Sequence, residues 1–330
     1  MITDVVVGLQ YGDEGKGKVT HHLCKKGHYS HVLRFNGGCN AGHTIIHNGK
    51  KFVTHHIPAG VFFGIKSIIG NGCVVNIAQF KKELDYLNSN GVKTKGLIFI
   101  AKNAHIITDE HLELDLKDKK IGSTKRGNGP AYSDKYARTG LRAEDVPELK
   151  EYLIDLYREF YHDHKNPRIL CEGAQAFGLD IDWGDYPFVT SSHCTTASIF
   201  LNAIEPSSLR KVYGVCKAYE TYVGMKRFQP TNPVFKKLQL HGNEYGSTTG
   251  RARQCNWLNL DFLKKSIKMN YVTHLVINKM DVLNDLGVWS LYEGDNTMYF
   301  PSDKEFKKHI TENCYTGLTS VQFSYHPDKI

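Results

Sequence analysis

An apolar run, Val5-Val6-Val7-Gly8-Leu9, passes into Gly12-Asp13-Glu14-Gly15-Lys16-Gly17-Lys18 and then into a helical pattern from Lys18 to Lys25. A strand, a glycine-rich turn and a helix in that order form a phosphate cradle. Backbone N–H groups of the turn and the helix N-terminus favour anionic oxygens, and a lysine adds a point charge. The spacing follows the P-loop pattern as far as Gly17-Lys18. The pattern then asks for Ser or Thr, where this chain has Val19. The hydroxyl that ordinarily holds Mg²⁺ is therefore missing, and an acid, Asp13, stands inside the loop. Among phosphates an acid is badly placed unless it holds a metal or moves a proton.

The rest of the chain repeats the strand-then-helix alternation. Segments 4–9, 67–69, 97–101, 168–171, 212–215 and 274–277 read as buried strands. Ile77, Phe80, Leu84 and Leu87 recur at helical spacing, and so do Leu149, Leu153, Leu156 and Phe160. That alternation predicts an α/β fold with a P-loop-type, mostly parallel central sheet flanked by helices. No internal repeat or linker divides the 330 residues, so one elaborated domain over 1–330 is expected. In such sheets ligands collect at the carboxyl ends of the strands, and the distinctive motifs sit there.

A net charge of +8 suits anionic substrates. No block of like charges resembles a nucleic-acid-binding tail, so nucleic acid is not an expected partner. The eight cysteines form no CxxC pair and mostly lie in or beside apolar segments, as reduced, buried thiols of a cytoplasmic protein do. No stretch approaches the ~20 apolar residues of a membrane span, so no membrane partner is expected either.

Asn278-Lys279-Met280-Asp281 follows the strand at 274–277 and has the NKxD form. Its aspartate can accept from both the N1–H and the 2-amino group of guanine. Adenine offers neither donor pair and leaves the carboxylate buried and unpaired. Segment 36–44 is glycine-rich and ends in His43-Thr44. A histidine there can donate to a transferring phosphate. Segment 122–132 combines glycines, hydroxyls and bases in a way that suits a monophosphate, with Arg138 shortly after. Gly246-Ser247-Thr248-Thr249-Gly250-Arg251-Ala252-Arg253 sets hydroxyls and two arginine forks on a loop, which fits a carboxylate or further phosphate. Each motif alone has a bland counterpart: a Lys-Asp surface turn, a structural histidine among seventeen, a solvated basic loop.

Taken in order, these segments resemble the adenylosuccinate synthetases. The resemblance runs from Gln10-Tyr11-Gly12 through 34–44, 121–142, Cys171-Glu172-Gly173-Ala174-Gln175 and 180–196 to Lys279-Met280-Asp281, with a fainter match at 324–328. It implies a GTP-dependent ligase that joins L-aspartate to IMP through 6-phosphoryl-IMP, in a cytoplasmic homodimer. Asp13 is then the base on purine N1 and His43 the acid beside the departing phosphate, with Lys16 and Gln175 completing the catalytic set. The resemblance sets GTP against Gly12, Asp13, Glu14, Gly15, Lys16, Gly17, Lys18, Arg253, Lys279, Met280, Asp281, Ser324, Tyr325 and His326. It sets IMP against Asp13, Asn40, Ala41, Gly42, His43, Thr124, Gln175, Thr190 and Arg251, with Arg138 reaching in from the partner subunit. Aspartate falls to Ser247, Thr248, Thr249, Gly250, Arg251, Ala252 and Arg253. Mg²⁺ falls to Asp13 and the Gly42 carbonyl, which agrees with the missing P-loop hydroxyl.

The chain departs from the family pattern in several places. It is shorter than typical bacterial members, with the middle helical region compressed between Leu141 and Arg168. Cys39 stands where an asparagine is common. Ser192-His193-Cys194-Thr195-Thr196 carries one extra residue and resembles the phage branch that joins aspartate to dGMP. That branch typically has Ser at the place of Asp13 and lacks the Lys-x-Asp motif. Both are kept here, so IMP and GTP are the expected substrates, with dGMP the alternative. A GTP-binding switch is the remaining alternative, and it leaves the second glycine-rich segment and the 246–253 loop without a task.

Overall fold

Val5, Val7 and Leu9 pack on one side of the first strand and Val6 on the other, and all four are fully buried. A strand covered on both faces reads as a continuous apolar run and belongs in the middle of a parallel sheet. The computed structural model, which describes residues 1–118, 121–246, 250–314 and 316–330, has that sheet. Its nine strands are β1 (Ile2–Gly8), β2 (His31–Arg34), β3 (Lys66–Ile69), β4 (Ile98–Ala101), β5 (Leu153–Ile154), β6 (Arg168–Glu172), β7 (Leu209–Lys217), β8 (His274–Asn278) and β9 (Ser320–Phe323). Their order is β9-β8-β7-β1-β6-β2-β3-β4-β5, and every neighbouring pair is parallel. The expected α/β architecture holds, and the central sheet is more uniform than "mostly parallel".

Two layers cover the sheet. Val19 and Cys24 of helix α1 (Lys16–Lys26) pack with Val6, Val32, Leu170, Val215 and Val276. On the other face, Leu33, Phe35, Cys171, Val212 and Ile277 join the largest core. Burying each side chain of that size contributes about 1.5–3 kcal/mol. Helix α2 (Ile77–Ser89) is capped by Asn76, whose side chain accepts from the Gln79 N–H, and it buries Phe80, Leu84 and Leu87 as its spacing predicts. Helix α3 (Asp109–Lys117) precedes the second glycine-rich segment, whose latter half, 128–132, forms the start of helix α4 (Asn128–Ala137). The eight cysteines are buried free thiols. No helix among the described residues is long and apolar enough to cross a membrane.

One expectation is corrected. Leu149, Leu153, Leu156 and Phe160 do not share a helix. Pro147–Tyr152 forms 3-10 turns, Leu153–Ile154 joins the sheet edge as β5, and only short helical turns follow at Leu156–Arg158 and Glu159–Asp163. The four apolar residues serve two different cores. Leu149 packs with α2, while Leu156 and Phe160 face the large core. Pairing of Leu153 with Ile100 of β4 overrides the helical period.

Candidate active site

Across the sheet, the carboxyl ends of β9, β8, β7, β1, β6 and β2 lead into Ser324, Asn278, Lys217, the 10–16 loop, Glu172 and Asn36. The parallel direction thus delivers the separate sequence motifs to one edge.

The loop after β1 packs tightly. A Cβ on Gly8 would lie 2.7 Å from Ala176 Cβ, Gln175 O and Glu14 Oε2, so only glycine fits there. Glu14 is buried and folds back. Its Oε1 accepts from the N–H groups of Gly12 (2.8 Å) and Gln10 (3.3 Å), and its Oε2 accepts from Lys16 Nζ at 2.7 Å. Glu14 therefore shapes the loop from within. Gly15, at φ 91°, starts α1 without a side-chain cap, which leaves the helix N-terminus open to anionic oxygens. Asn278 Nδ2 donates to Glu14 O at 2.6 Å and so ties the NKxD motif to this loop. Lys18 points elsewhere: its Nζ donates to Ser324 Oγ, His326 O and Lys329 O.

Asp13 stands at φ 59°, and its Oδ2 lies 2.7 Å from Arg253 Nε. Arg253 also donates through Nη1 to Glu244 Oε2 at 2.6 Å. Glu244 in turn lies 3.3 Å from Lys217 Nζ and accepts from the Tyr219 hydroxyl. Burial pushes the Glu244 carboxyl up, but Lys217, Arg253 and Lys279 outweigh it and hold the group at about 2. A buried charge network thus fixes the arginine that meets Asp13.

His43 lies on the other side of α1's first turn: a Cβ on Gly17 would be 2.9 Å from His43 Cβ. Its Nδ1 is 2.5 Å from Glu172 Oε1, and Arg34 Nη1 is 3.4 Å from its Nε2. Arg34 Nη2 donates to the same Glu172 oxygen at 3.0 Å, and Glu172 Oε2 accepts from the Ala59 N–H at 2.9 Å. Burial, then Arg34, draws the His43 imidazole down to about 4. Burial raises the Glu172 carboxyl, yet Arg34 and His43 prevail and keep it below the ordinary carboxylate range.

Gln175 at φ 55° donates through Nε2 to Asn40 Oδ1 at 2.9 Å, while its buried Oε1 lacks a partner. Both polar ends of the buried Asn128 side chain also lack one. Both side chains lie against the glycines of the 36–44 segment: a Cβ on Gly37 would be 2.7 Å from Gln175 Oε1, and one on Gly38 2.8 Å from Asn128 Nδ2. Thr124 and Arg251 line one cavity of about 490 Å³ with Ser123 and Met225, and Arg251 donates to Gly122 O and Ser123 O. Ala41 O accepts from His55 Nδ1 at 2.8 Å. Thr190 is half-buried, and its N–H donates to Leu179 O. Arg138 is exposed just past the C-terminus of α4, about 15 Å along the helix from Gly127. Ser247, Thr248 and Thr249 lie outside the described residues. Asp180, Asp182 and His193 form an oxygen-and-imidazole cluster. Asp180 uses both oxygens on the N–H groups of Asp182, Trp183 and Cys194.

At the turn after β8, Lys279 Nζ donates to Gly242 O, Met280 is fully buried and Asp281 is partly exposed. The Tyr325 hydroxyl turns to Asp303 and Lys307, and His326 is exposed.

A family model described as adenylosuccinate synthetase matches residues 5–166 and 146–320. The chain belongs to the adenylosuccinate synthetase family. Adenylosuccinate synthetases from Cytophaga hutchinsonii and Phocaeicola vulgatus are 41% and 40% identical to it. The first alignment covers 86% of this chain and 78% of the relative, the second 92% and 84%. Among solved structures, the fully ligated adenylosuccinate synthetase of Plasmodium falciparum superposes with a TM-score of 0.86 at 28% identity, covering 98% of this chain and 97% of that one. The succinoaminodeoxyadenylate synthetase of cyanophage S-2L, bound to dGMP and dATP, shares the fold at a TM-score of 0.77 and 20% identity, covering 99% and 93%. The two pieces of the family match meet at 146–166, inside the stretch where the sequence reads as compressed.

Sequence reasoning named Asp13 and His43 but assigned no role to their holders. Arg34 and Glu172 stand 138 positions apart and meet because β2 and β6 are neighbours in the sheet, whereas Glu244 reaches Arg253 across a local loop and Lys217 across 27 positions. Buried charged residues at strand ends were the available signal: Glu172 and Lys217 each close an apolar run. The Glu244 network also gives a pH dependence. With a folded value of about 2 against an ordinary 4.5, Glu244 contributes stability that is fully present above about pH 4.5 and is lost as pH falls toward 2. Melting temperatures taken from pH 6 to 2.5 should drop over that window. Glu244→Gln should melt lower at pH 6 and show a shallower acid limb.

Proposed function

We propose that this chain ligates L-aspartate to IMP with GTP as phosphoryl donor, giving adenylosuccinate, GDP and phosphate. The observation that carries the proposal is the meeting of Asp13 with Arg253 at 2.7 Å. An acid inside a phosphate loop touches an arginine from the carboxylate-binding type of loop, so base, phosphates and amino-acid substrate converge. In the first step Asp13 takes the proton from N1 of the purine, and electron density moves to O6. O6 attacks the γ-phosphorus as the bond to GDP breaks. In the second step the aspartate amine attacks C6 and loses a proton to solvent as the C6–O6 bond breaks, and O6 leaves with the phosphoryl group as inorganic phosphate. Positioning and charge neutralisation carry most of such a phosphoryl transfer.

Lys16 and the open N-terminus of α1 neutralise the triphosphate. His43 serves as an acid only when doubly protonated. Glu172 against Nδ1 favours that form, burial and Arg34 oppose it, and an incoming γ-phosphate adds the negative charge that tips the balance. The Asp13 carboxylate and the Gly42 carbonyl are hard oxygen donors of the kind Mg²⁺ takes, so these residues fit the ion. When bound, Mg²⁺ neutralises charge on the β- and γ-phosphates. Arg253, held by Glu244, contacts the same Asp13 carboxylate that would hold the ion. Asp281 reads guanine, while Thr124, Gln175 and Arg251 hold the monophosphate.

The test is phosphate release from GTP. Release should require IMP and aspartate together, and equal release without aspartate would overturn the ligase reading. Run with dGMP in place of IMP, and ATP in place of GTP, the assay compares kcat/KM for each acceptor and donor. Predominant turnover of dGMP would move the acceptor while leaving the mechanism intact. The position of Arg138 at the exposed end of α4 suits a residue that acts in the neighbouring subunit of a homodimer. Arg138→Leu should raise the KM for IMP about tenfold. Mixed with an inactive Asp13→Asn chain, it should regain activity at hybrid sites; no recovery would place its action within its own chain.

A further inference from the structure

The lysine that closes the phosphate-loop motif does not face the loop. Lys18 is 9% exposed, and its Nζ donates to Ser324 Oγ (2.8 Å), His326 O (2.9 Å) and Lys329 O (3.2 Å). Three acceptors saturate an ammonium group, which has three hydrogens to give. All three belong to the segment after β9. Ser324 is itself a junction. Its N–H donates to Ile277 O at 2.8 Å, its carbonyl accepts from the Met280 N–H at 3.1 Å, and its hydroxyl donates to Lys329 O at 2.5 Å. Met280 is the centre of the Lys-x-Asp motif. Burial draws the Lys18 ammonium down to about 8, with the Asp281 carboxylate pulling the other way. Lys18 bonds only to the 324–329 segment and reaches the 278–281 turn through Ser324, whose carbonyl holds the Met280 N–H.

We propose that Lys18 is a positioning residue that clamps the 324–329 segment and the Asn278–Asp281 turn onto α1, and so sets purine selectivity at the nucleoside triphosphate site. The proposal rests on reading that end as a guanine site. Asp281 discriminates only while its carboxylate holds both the N1–H and the 2-amino edge. A shift of about 1 Å in its support is enough to lose one of the two bonds. Side-chain tethers hold the turn: Asn278 fixes it to Glu14 O, Lys279 to Gly242 O, and Lys18 fixes its Ser324 neighbour. Removing the ammonium takes away the bonds that hold Ser324, His326 and Lys329 to α1 and leaves the turn without its support from that helix.

The experiment is equilibrium binding to the full-length protein and to Lys18→Met, which keeps the apolar stem and drops the charge. The probes are GDP, IDP (which lacks the 2-amino group) and inorganic tripolyphosphate. Wild type should prefer GDP to IDP. In Lys18→Met that preference should shrink about tenfold while tripolyphosphate affinity stays within about twofold. The opposite pattern, weakened tripolyphosphate with an intact GDP preference, would show that Lys18 acts on phosphates and would overturn the proposal. Ser324→Ala removes a single acceptor at little cost in volume and should lose part of the preference in the same direction. If Lys18→Met does not fold, full preference in Ser324→Ala is by itself enough to reject the clamp. A wild-type protein without any GDP preference would defeat the guanine reading first, and the clamp with it.

Discussion

Asp13→Asn is expected to lower kcat by about 10³-fold with little change in stability. The substitution is nearly isosteric, and asparagine tolerates the left-handed backbone at φ 59° at least as well as aspartate does. Arg253 keeps Glu244 at 2.6 Å, so no buried cation is stranded. The lost ion pair joins an Asp13 side chain 29% exposed to an Arg253 side chain 11% exposed that keeps its second carboxylate, so the loss falls mainly on an accessible group. What the amide cannot do is accept the N1 proton, and it is a poorer ligand for a divalent ion. The deficit should therefore fall on kcat, with the KM for IMP changed less than about threefold. Steady-state phosphate release at saturating GTP, IMP and aspartate gives kcat, and thermal melting gives stability. Activity within tenfold of wild type would assign the proton to another group. A large fall in melting temperature would instead mean that Asp13 holds the loop together.

The fold was legible because it depends on local pattern. Val5 to Leu9 reads as a buried strand wherever it is met, and strand-then-helix units leave the parallel sheet as the simplest arrangement. Strand β2 was not read because His31-Val32-Leu33-Arg34 mixes polar with apolar residues, and both of its polar ends turn out to be buried against Glu159 and Glu172. The site was legible as a set of motifs and not as a set of contacts. Glycine spacing marks where backbone approaches phosphate, so the phosphate loop and the 36–44 segment announce themselves. Which cation faces which anion is decided by strand order, and strand order is not local. Lys18 illustrates the difference. The motif places it beside phosphate, while the sheet puts β9 within its reach, and three acceptors from 324–329 capture it.

Glu172→Gln should cost about 3–5 kcal/mol of stability and lower kcat by about 10²-fold. The carboxylate is fully buried at the end of β6 and accepts from Arg34, His43 and the Ala59 N–H at once. An amide has one accepting oxygen, so its NH₂ must face a donor whichever way it turns. Either Arg34 stays charged in the core without its anion, or the Ala59 N–H and its strand connection lose their acceptor. Arg34 Nε already lacks a partner, so no reserve contact absorbs the change. For catalysis, His43 loses the negative group at Nδ1 that favours the imidazolium, while burial and Arg34 go on depressing it. The acid form becomes scarce at neutral pH, so kcat should fall and its pH profile should shift toward acid, with the KM for GTP nearly unchanged. The sign of the stability effect follows from the same group. Its folded value lies below the ordinary 4.5, so its contribution is fully present above that pH and disappears as pH falls through the folded value. Urea titrations at pH 7 and pH 4 should therefore find the wild-type advantage over Glu172→Gln larger at pH 7. An equal gap at both pH values would mean that Glu172 acts through packing alone, and an unmoved kcat profile would free His43 from its dependence on this carboxylate.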